Sequence, residues 1–239
     1  GDGTEEEELE GATDDRQWVA GFGDGIGYMT VRNFAVSVGG NFHLSKTTDG
    51  GKTWHAYTLG DVDQSGPVQV DKTKRKVTVN GVEKDAILLY QLYYTGNTLK
   101  VFRVTDFNDG SPFVVDDLTV GTPGGSVANV FPVLSVDKAG NLYVVWSNGQ
   151  AIYLATSTDR GRSWGPARTV SRVADGYAFF PALDVASTGR VDLGYQALQA
   201  DDTTTFGTGN ARIDAWYANK PADGAWTVPT RVSSASSDP

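Results

Sequence analysis

One eight-residue pattern occurs twice in this chain, as Thr47-Thr48-Asp49-Gly50-Gly51-Lys52-Thr53-Trp54 and as Ser157-Thr158-Asp159-Arg160-Gly161-Arg162-Ser163-Trp164. Both copies read Ser/Thr, any, Asp, any, Gly, any, Ser/Thr, Trp. Each part suits a tight reversal between two strands. The Asp carboxylate can accept backbone N–H groups further along the turn, and the Gly supplies a positive φ that other residues reach at a cost. The hydroxyls can tie the two ends of the turn together, and the Trp gives the next strand a large apolar anchor. The pattern therefore predicts turns at Thr47, Asp49, Gly51, Thr53 and Trp54 and at Ser157, Asp159, Gly161, Ser163 and Trp164, with the two Asp residues structural rather than catalytic.

Around the second copy the chain reads as a meander. Phe131–Val136 has the character of a buried strand and Asp137-Lys138-Ala139-Gly140-Asn141 that of a turn. Leu142–Trp146 is a second strand, Asn148-Gly149 a second turn, and Ala151–Thr156 a third strand. The motif then leads into a fourth strand near Ala167–Ser171. Four antiparallel strands in about 45 residues make one propeller blade. The unit repeats: Phe180-Pro181-Ala182-Leu183 copies Phe131-Pro132-Val133-Leu134 at an offset of 49 residues, and an offset of 115 places Gly25 on Gly140 and Tyr28 on Tyr143. A divergent unit spans Val68–Val120, with strands at Ala86–Tyr94 and Leu99–Thr105. Asp106–Phe113 and Asp223-Gly224-Ala225-Trp226 read as decayed copies of the turn. The expected fold is all-β, a β-propeller of about four four-stranded antiparallel blades.

Composition agrees with that reading and excludes several functions. Ten Tyr, ten Phe, six Trp and 29 Gly suit pleated sheets joined by turns. With no Cys there are no disulfides. No apolar run approaches the roughly 18 residues of a membrane span. The net charge of −9 is concentrated at one end. Residues 1–15 hold eight acids and no base, which leaves 21 acids against 20 bases in the rest. Residues 1–14 read as a solvated acidic head and 15–239 as the propeller domain. With no basic stripe a nucleic-acid partner is not expected. Lys72, Lys74, Arg75 and Lys76 form the one basic cluster in the sequence, and it reads as a polar hairpin.

The duplicated turn resembles the Asp-box, or BNR repeat, of the sialidase-like β-propellers, and the resemblance covers about residues 15–233. That family is six-bladed, so four units imply a four-bladed ring or part of a six-bladed one, and the second is preferred here. It implies an extracellular or cell-surface protein, although no leader is present in this chain, and a glycan or glycoconjugate partner. No cofactor is required.

Strand parity then separates two ends of each blade. If the innermost strand starts at the upper end, the turns between strands three and four lie at the lower end. Ligand residues should come from the upper end. Arg16 stands where sister blades place Phe, near the central axis, and a guanidinium there suits a sugar carboxylate; its neighbour Asp15 offers a salt bridge instead. Trp18 and Tyr28 are candidates for an aromatic sugar floor or for core packing. Upper-end carboxylates include Asp61, Asp63, Asp175, Asp201 and Asp202, of which Asp201 and Asp202 are weak candidates for a catalytic pair. Asp61-Val62-Asp63-Gln64-Ser65-Gly66 matches the opening of a calcium loop, with Asp61, Asp63 and Ser65 as oxygen donors, but Lys72 stands where the twelfth-position Glu belongs. An ordinary polar connection is the alternative.

The sialidase resemblance implies a three-Arg clamp, a Tyr nucleophile with its Glu, and an Asp acid. Here the aromatic-Arg-Ile-Pro motif is replaced by Asp15-Arg16-Gln17-Trp18. The loop Asn33–Asn41 has no carboxylate, and Glu83 is the one Glu outside the head. The reading is a glycan-recognising propeller without a complete sialidase catalytic set. The alternatives are a glycoside hydrolase of exo-sialidase type and a structural or protein-binding propeller.

Overall fold

The computed structural model describes residues 14–33, 40–121, 131–172, 175–199 and 212–236, without the side chains of residues 14–16 and 199. Among them every regular element is a strand. The chain divides into two compact units between Val62 and Asp63.

The first unit holds one antiparallel sheet, blade 1, in the order β1 (Asp14–Gly23), β2 (Ile26–Asn33), β3 (Phe42–Thr47) and β4 (His55–Gly60). Asp24 and Gly25 turn β1 into β2 with φ of 52° and 76°. Two positive φ values in a two-residue loop make the turn whose twist matches the flanking strands, and Asp-Gly is the pair that takes it most readily. The register slips between Asp15 and Trp18, so Arg16 lies in a bulge.

The second unit holds three sheets. Blade 2 runs β5 (Gln64–Val70), β7 (Val82–Thr95), β8 (Thr98–Asp106) and β9 (Val114–Gly121), with β6 (Arg75–Val79) paired to the first half of β7. Blade 3 runs β10 (Val133–Val136), β11 (Leu142–Ser147), β12 (Ile152–Ser157) and β13 (Arg168–Thr169). Blade 4 runs β14 (Asp175–Val185), β15 (Val191–Gln199), β16 (Ile213–Lys220) and β17 (Thr230–Arg231). Two strand starts differ from the sequence reading. In blade 3, Phe131 and Pro132 precede the strand. In blade 4, Phe180-Pro181 lies in the middle of β14, which begins five residues earlier at Asp175. The basic cluster does lie on a hairpin, turned at Asn80-Gly81.

Sequence alternation explains the core. Leu88, Tyr90, Leu92 and Tyr94 of β7 with Leu99 and Val101 of β8 form one face of blade 2. That face packs on Leu134, Leu142, Val144 and Trp146 of blade 3. The other face of blade 3, with Val145, Ile152 and Leu154, packs on Ala178, Leu193, Tyr195, Ala197 and Trp216 of blade 4. β7 is buried continuously over Ala86–Tyr94, which is why its sequence reads as a nearly continuous apolar run, interrupted by Gln91, whose amide donates to the Gly66 carbonyl at 2.6 Å. At the centre the innermost strands of blades 2 and 3 nearly touch. A Cβ on Gly66 would stand 1.7 Å from the Pro132 carbonyl oxygen, so only glycine fits.

Both motif turns connect the third and fourth strands of their blades, between β3 and β4 and between β12 and β13. In the first, Asp49 Oδ1 accepts the Lys52 and Thr53 N–H groups at 2.9 and 3.0 Å, and Oδ2 accepts the Thr53 hydroxyl at 2.7 Å. Thr47 donates to Asp49 while its oxygen accepts the Gly51 N–H. Trp54 Nε1 closes the turn on the Gly51 carbonyl. The second copy repeats the scheme with Ser157, Asp159, Gly161 and Ser163. The Gly50 N–H also donates to the Gly25 carbonyl, which places the first motif turn at the same end as the β1–β2 turn.

Candidate functional site

With the motif turns at the lower end, the upper end of the second unit carries the start of each innermost strand and the turns between second and third strands. Most polar groups there are spent on the fold. Asp63 Oδ2 accepts the Gly96 N–H at 2.6 Å and thereby holds the β7–β8 turn. Asn148 Oδ1 accepts the Gln150 and Ala151 N–H groups in the β11–β12 turn.

Blade 4 is different. The Asp175 side chain, at the first residue of β14, is wholly excluded from solvent. Its Oδ2 accepts the Arg172 N–H at 3.0 Å and the Tyr195 hydroxyl at 3.1 Å. Its Oδ1 is buried without a hydrogen-bond partner among the described residues, 3.6 Å from Arg172 Nη1. The Arg172 guanidinium lies over the Trp216 ring, 3.8 Å from its centroid. Burial pushes the Asp175 carboxyl above the usual carboxylate range, against the pull of the Tyr195 hydroxyl and of Arg172. Burial likewise pushes the Tyr195 phenol up, with Asp175 adding to it. A buried carboxyl with a raised pKa beside a cation is a recurring feature of functional sites, and equally of structural ion pairs.

Further along the same strand two aromatic rings are exposed, Tyr177 at 40% and Phe180 at 47%. Phe180 has φ +48° and sits where the β14–β15 register slips between Phe179 and Ala182. A bulky residue in the left-handed region is a rare and strained conformation. The bulge turns its ring outward, edge-on to Phe179 with centroids 5.5 Å apart. Blade 4 thus carries two exposed aromatic rings on β14, while the Asp175 and Tyr195 side chains at the start of that strand and on β15 are buried and Arg172 is partly exposed.

The sequence-derived candidates fall as follows. Asp15 and Arg16 lie on β1, and their side chains are outside the described residues. Trp18 is half-buried on β1, opposite Thr30. Tyr28 is completely buried and offers no ring face to a ligand, which removes it from an aromatic floor. Asp201 and Asp202 lie in the connection between β15 and β16, outside the described residues, as do 1–13 and most of the Asn33–Asn41 loop. Asp61 accepts the Asn41 N–H at 3.0 Å and Asp63 the Gly96 N–H. Ser65 is buried. Among the described residues no three His, Cys, Asp or Glu side chains gather as a metal site. Phe180 was expected at an upper-end strand start and lies instead in a mid-strand bulge, while nothing in the sequence singled out Arg172 or Trp216. Phe180-Pro181 copies Phe131-Pro132 in sequence, and nothing local marks one of the two as a bulge.

No family model and no curated protein matches this chain by sequence. Solved structures do match. One is the GH93 α-L-arabinofuranosidase of Fusarium graminearum in complex with arabinobiose, at 15% identity and a TM-score of 0.55 over 88% of this chain and 64% of that one. Another is the α-L-arabinofuranosidase Arb93A from Fusarium graminearum with an iminosugar inhibitor, at 14% identity and a TM-score of 0.57 over 90% of this chain and 65% of that one. The chain thus spans a little under two thirds of the length of these matched structures. At such identity the likeness shows the fold, an all-β propeller of four-stranded antiparallel blades.

Proposed function

We propose that this chain is a glycan-recognising propeller of the sialidase-like, Asp-box kind, and that sugar binds at blade 4 against Phe180. The observation that carries the reading is the Phe180 ring, half-exposed on an innermost strand and held there by a strained backbone. Strain of this kind persists where the surrounding structure enforces it, and it clusters at ligand contacts. Tyr177 widens the apolar surface, and Arg172, held by the buried Asp175 and partly open to solvent, is the polar group of the Arg172–Asp175–Tyr195 cluster that a ligand can reach. The matched arabinofuranosidases, solved with arabinobiose and with an iminosugar, support a sugar as the ligand class. The test is a glycan-array screen of the full chain, followed by calorimetry with the best binder. Phe180→Ala is expected to weaken binding at least tenfold. A chain that binds no glycan, or a variant that binds as well as wild type, overturns the proposal.

A second reading, hydrolysis of the bound glycan, rests on the raised Asp175 carboxyl. In it Asp175 protonates the leaving glycosidic oxygen as water attacks the anomeric carbon, which requires that substrate binding open the buried carboxyl. Chromogenic α-L-arabinofuranoside and sialoside substrates test it. Turnover abolished in Asp175→Asn, with binding retained, supports it. No turnover in wild type removes it and leaves recognition alone.

A further inference from the structure

A cavity lies at the other end of the second unit, with a chemistry different from that of the blade 4 surface. Its volume is about 190 Å³, and it opens between the lower half of blade 2 and the motif turn of blade 3. Val79, Leu88 and Phe107 are among its apolar walls, and its charged lining is Arg103, Arg160, Arg162 and Asp116. Three guanidinium groups against one carboxylate leave a net excess of positive charge.

The four groups are not equivalent. Arg103 is nearly buried and fixed: its Nε and Nη2 donate to Asp116 Oδ2 at 3.0 and 2.6 Å, and its Nη1 donates to the Arg160 carbonyl at 3.2 Å. Asp116 therefore balances Arg103. Arg160 and Arg162 have no ion pair among the described residues, although Arg160 is half-buried. Arg162 is exposed, but Arg160 is partly buried against apolar walls and keeps more of its field than a cation in open water, so an anion entering the cavity meets an attraction that solvent screens less.

The backbone supplies an independent observation. Arg160 has φ +62°, deep in the left-handed region. The matching position of the first motif turn is Gly50, at φ +77°, where the conformation carries no steric penalty. Among the described residues the other non-glycine positions with positive φ are Asp24, Asn80 and Asn108, whose short polar side chains tolerate it, and Phe180. Folding alone would favour glycine at position 160, as in the sister turn. The strained residue is the one whose side chain lines the cavity, and strain held in this way points to use.

We propose that the cavity formed by Arg103, Arg160 and Arg162 is a binding site for an oxyanion group: a sulfate, phosphate or carboxylate on a small molecule. Arg160 and Arg162 come from one turn two residues apart and present planar donors that match two oxygens of such a group. Arg103, locked by Asp116, forms the rear wall. The volume takes the anionic group and a small part of its carrier, such as a sulfated or uronic sugar. The site is independent of the sugar surface at blade 4, and either can fail without the other.

Thermal shift and calorimetry on the full chain test it, with sodium sulfate, sodium phosphate and glucuronate each matched in ionic strength by sodium chloride. Sulfate and phosphate also stabilise proteins by exclusion from their surfaces, so the reading is the difference between wild type and two variants. Arg160→Gly copies the sister turn and relieves its backbone. It is expected to melt at or above the wild-type temperature without anion, yet to lose the anion-specific shift and bind at least tenfold more weakly. Arg162→Gln, at an exposed position with no ion pair among the described residues, is expected to lose affinity without changing the melting temperature in chloride. Tighter binding of glucuronate than of the inorganic anions identifies a sugar acid as the ligand, and the reverse order a free oxyanion. Equal anion responses in wild type and both variants overturn the proposal, as does an Arg160→Gly variant that melts lower in chloride, since Arg160 would then be a structural residue.

Discussion

The two motif aspartates and Asp175 are the same residue type with opposite electrostatic fates. At Asp159 the Ser163 hydroxyl and N–H donate to the carboxylate and hold its pKa down to about 2. Asp49 is lowered likewise, first by the Thr53 N–H. A carboxylate whose folded pKa lies below its unfolded value, about 3.9, contributes stability above that value and loses it as the pH falls through the folded pKa. Part of the chain's acid lability is therefore expected between about pH 4 and pH 2, reduced by the exposure of both groups. Asp159→Ala is expected to cost about 1–2 kcal/mol at pH 7 through lost turn hydrogen bonds, and to flatten that acid limb. Urea titrations at pH 7 and pH 3 measure both, and an undiminished acid limb in the variant would remove Asp159 as its source. Asp175 has the reverse sign. Burial raises its pKa, so its ionisation opposes folding as the pH climbs past the unfolded value. Asp175→Asn keeps an acceptor for Tyr195 and removes the charge. The variant is expected to be at least as stable as wild type at pH 7, with the advantage disappearing near pH 3. A variant clearly less stable at pH 7 would mean that the attraction of Arg172 outweighs burial.

Among the elements, the innermost strands are the least tolerant. Gly66 brings β5 against the Pro132 carbonyl, and the obstacle to any side chain is backbone, which cannot swing aside. Gly66→Ala should therefore cost about 3 kcal/mol, read as a lowered urea midpoint with unchanged slope. A near-neutral result would show that blades 2 and 3 can part without loss. The turns and the strands of blade 3 were legible because their signals are local: hydroxyl, Asp and Gly at fixed spacing, then an apolar run. The oxyanion cavity was not. The sequence offered only Lys72–Lys76 as a basic cluster, whereas Arg103 and Arg160 meet because blade 3 packs on blade 2. Phe180 was hidden for another reason. A bulge in β14 is decided by how the blade pairs, and the same Phe-Pro pair in blade 3 stands just before its strand.

For the molecule as a whole, the two larger apolar clusters of the second unit lie between sheets, and only a small one, Phe179 and Leu198 with Ile213, lies within blade 4 among the described residues. The larger clusters join the apolar faces of neighbouring blades, through Leu134 between blades 2 and 3 and through Leu193 between blades 3 and 4. A blade released from its neighbour would expose that face, so blades 2 to 4 should unfold together rather than in sequence. Both leucines are fully buried, and truncation to Ala in such surroundings costs about 2–5 kcal/mol. If the unit is cooperative, Leu134→Ala and Leu193→Ala lower the same transition by similar amounts, without a second transition, and far-ultraviolet dichroism and Trp fluorescence follow one curve. Trp146 reports from blade 3 and Trp216 from blade 4, so a stepwise process would separate the probes. Two resolved transitions in Leu193→Ala, with blade 4 melting first, would show instead that the three-blade unit is a chain of separable modules. The sugar surface on blade 4 and the oxyanion cavity between blades 2 and 3 would then have independent stabilities as well as independent ligands.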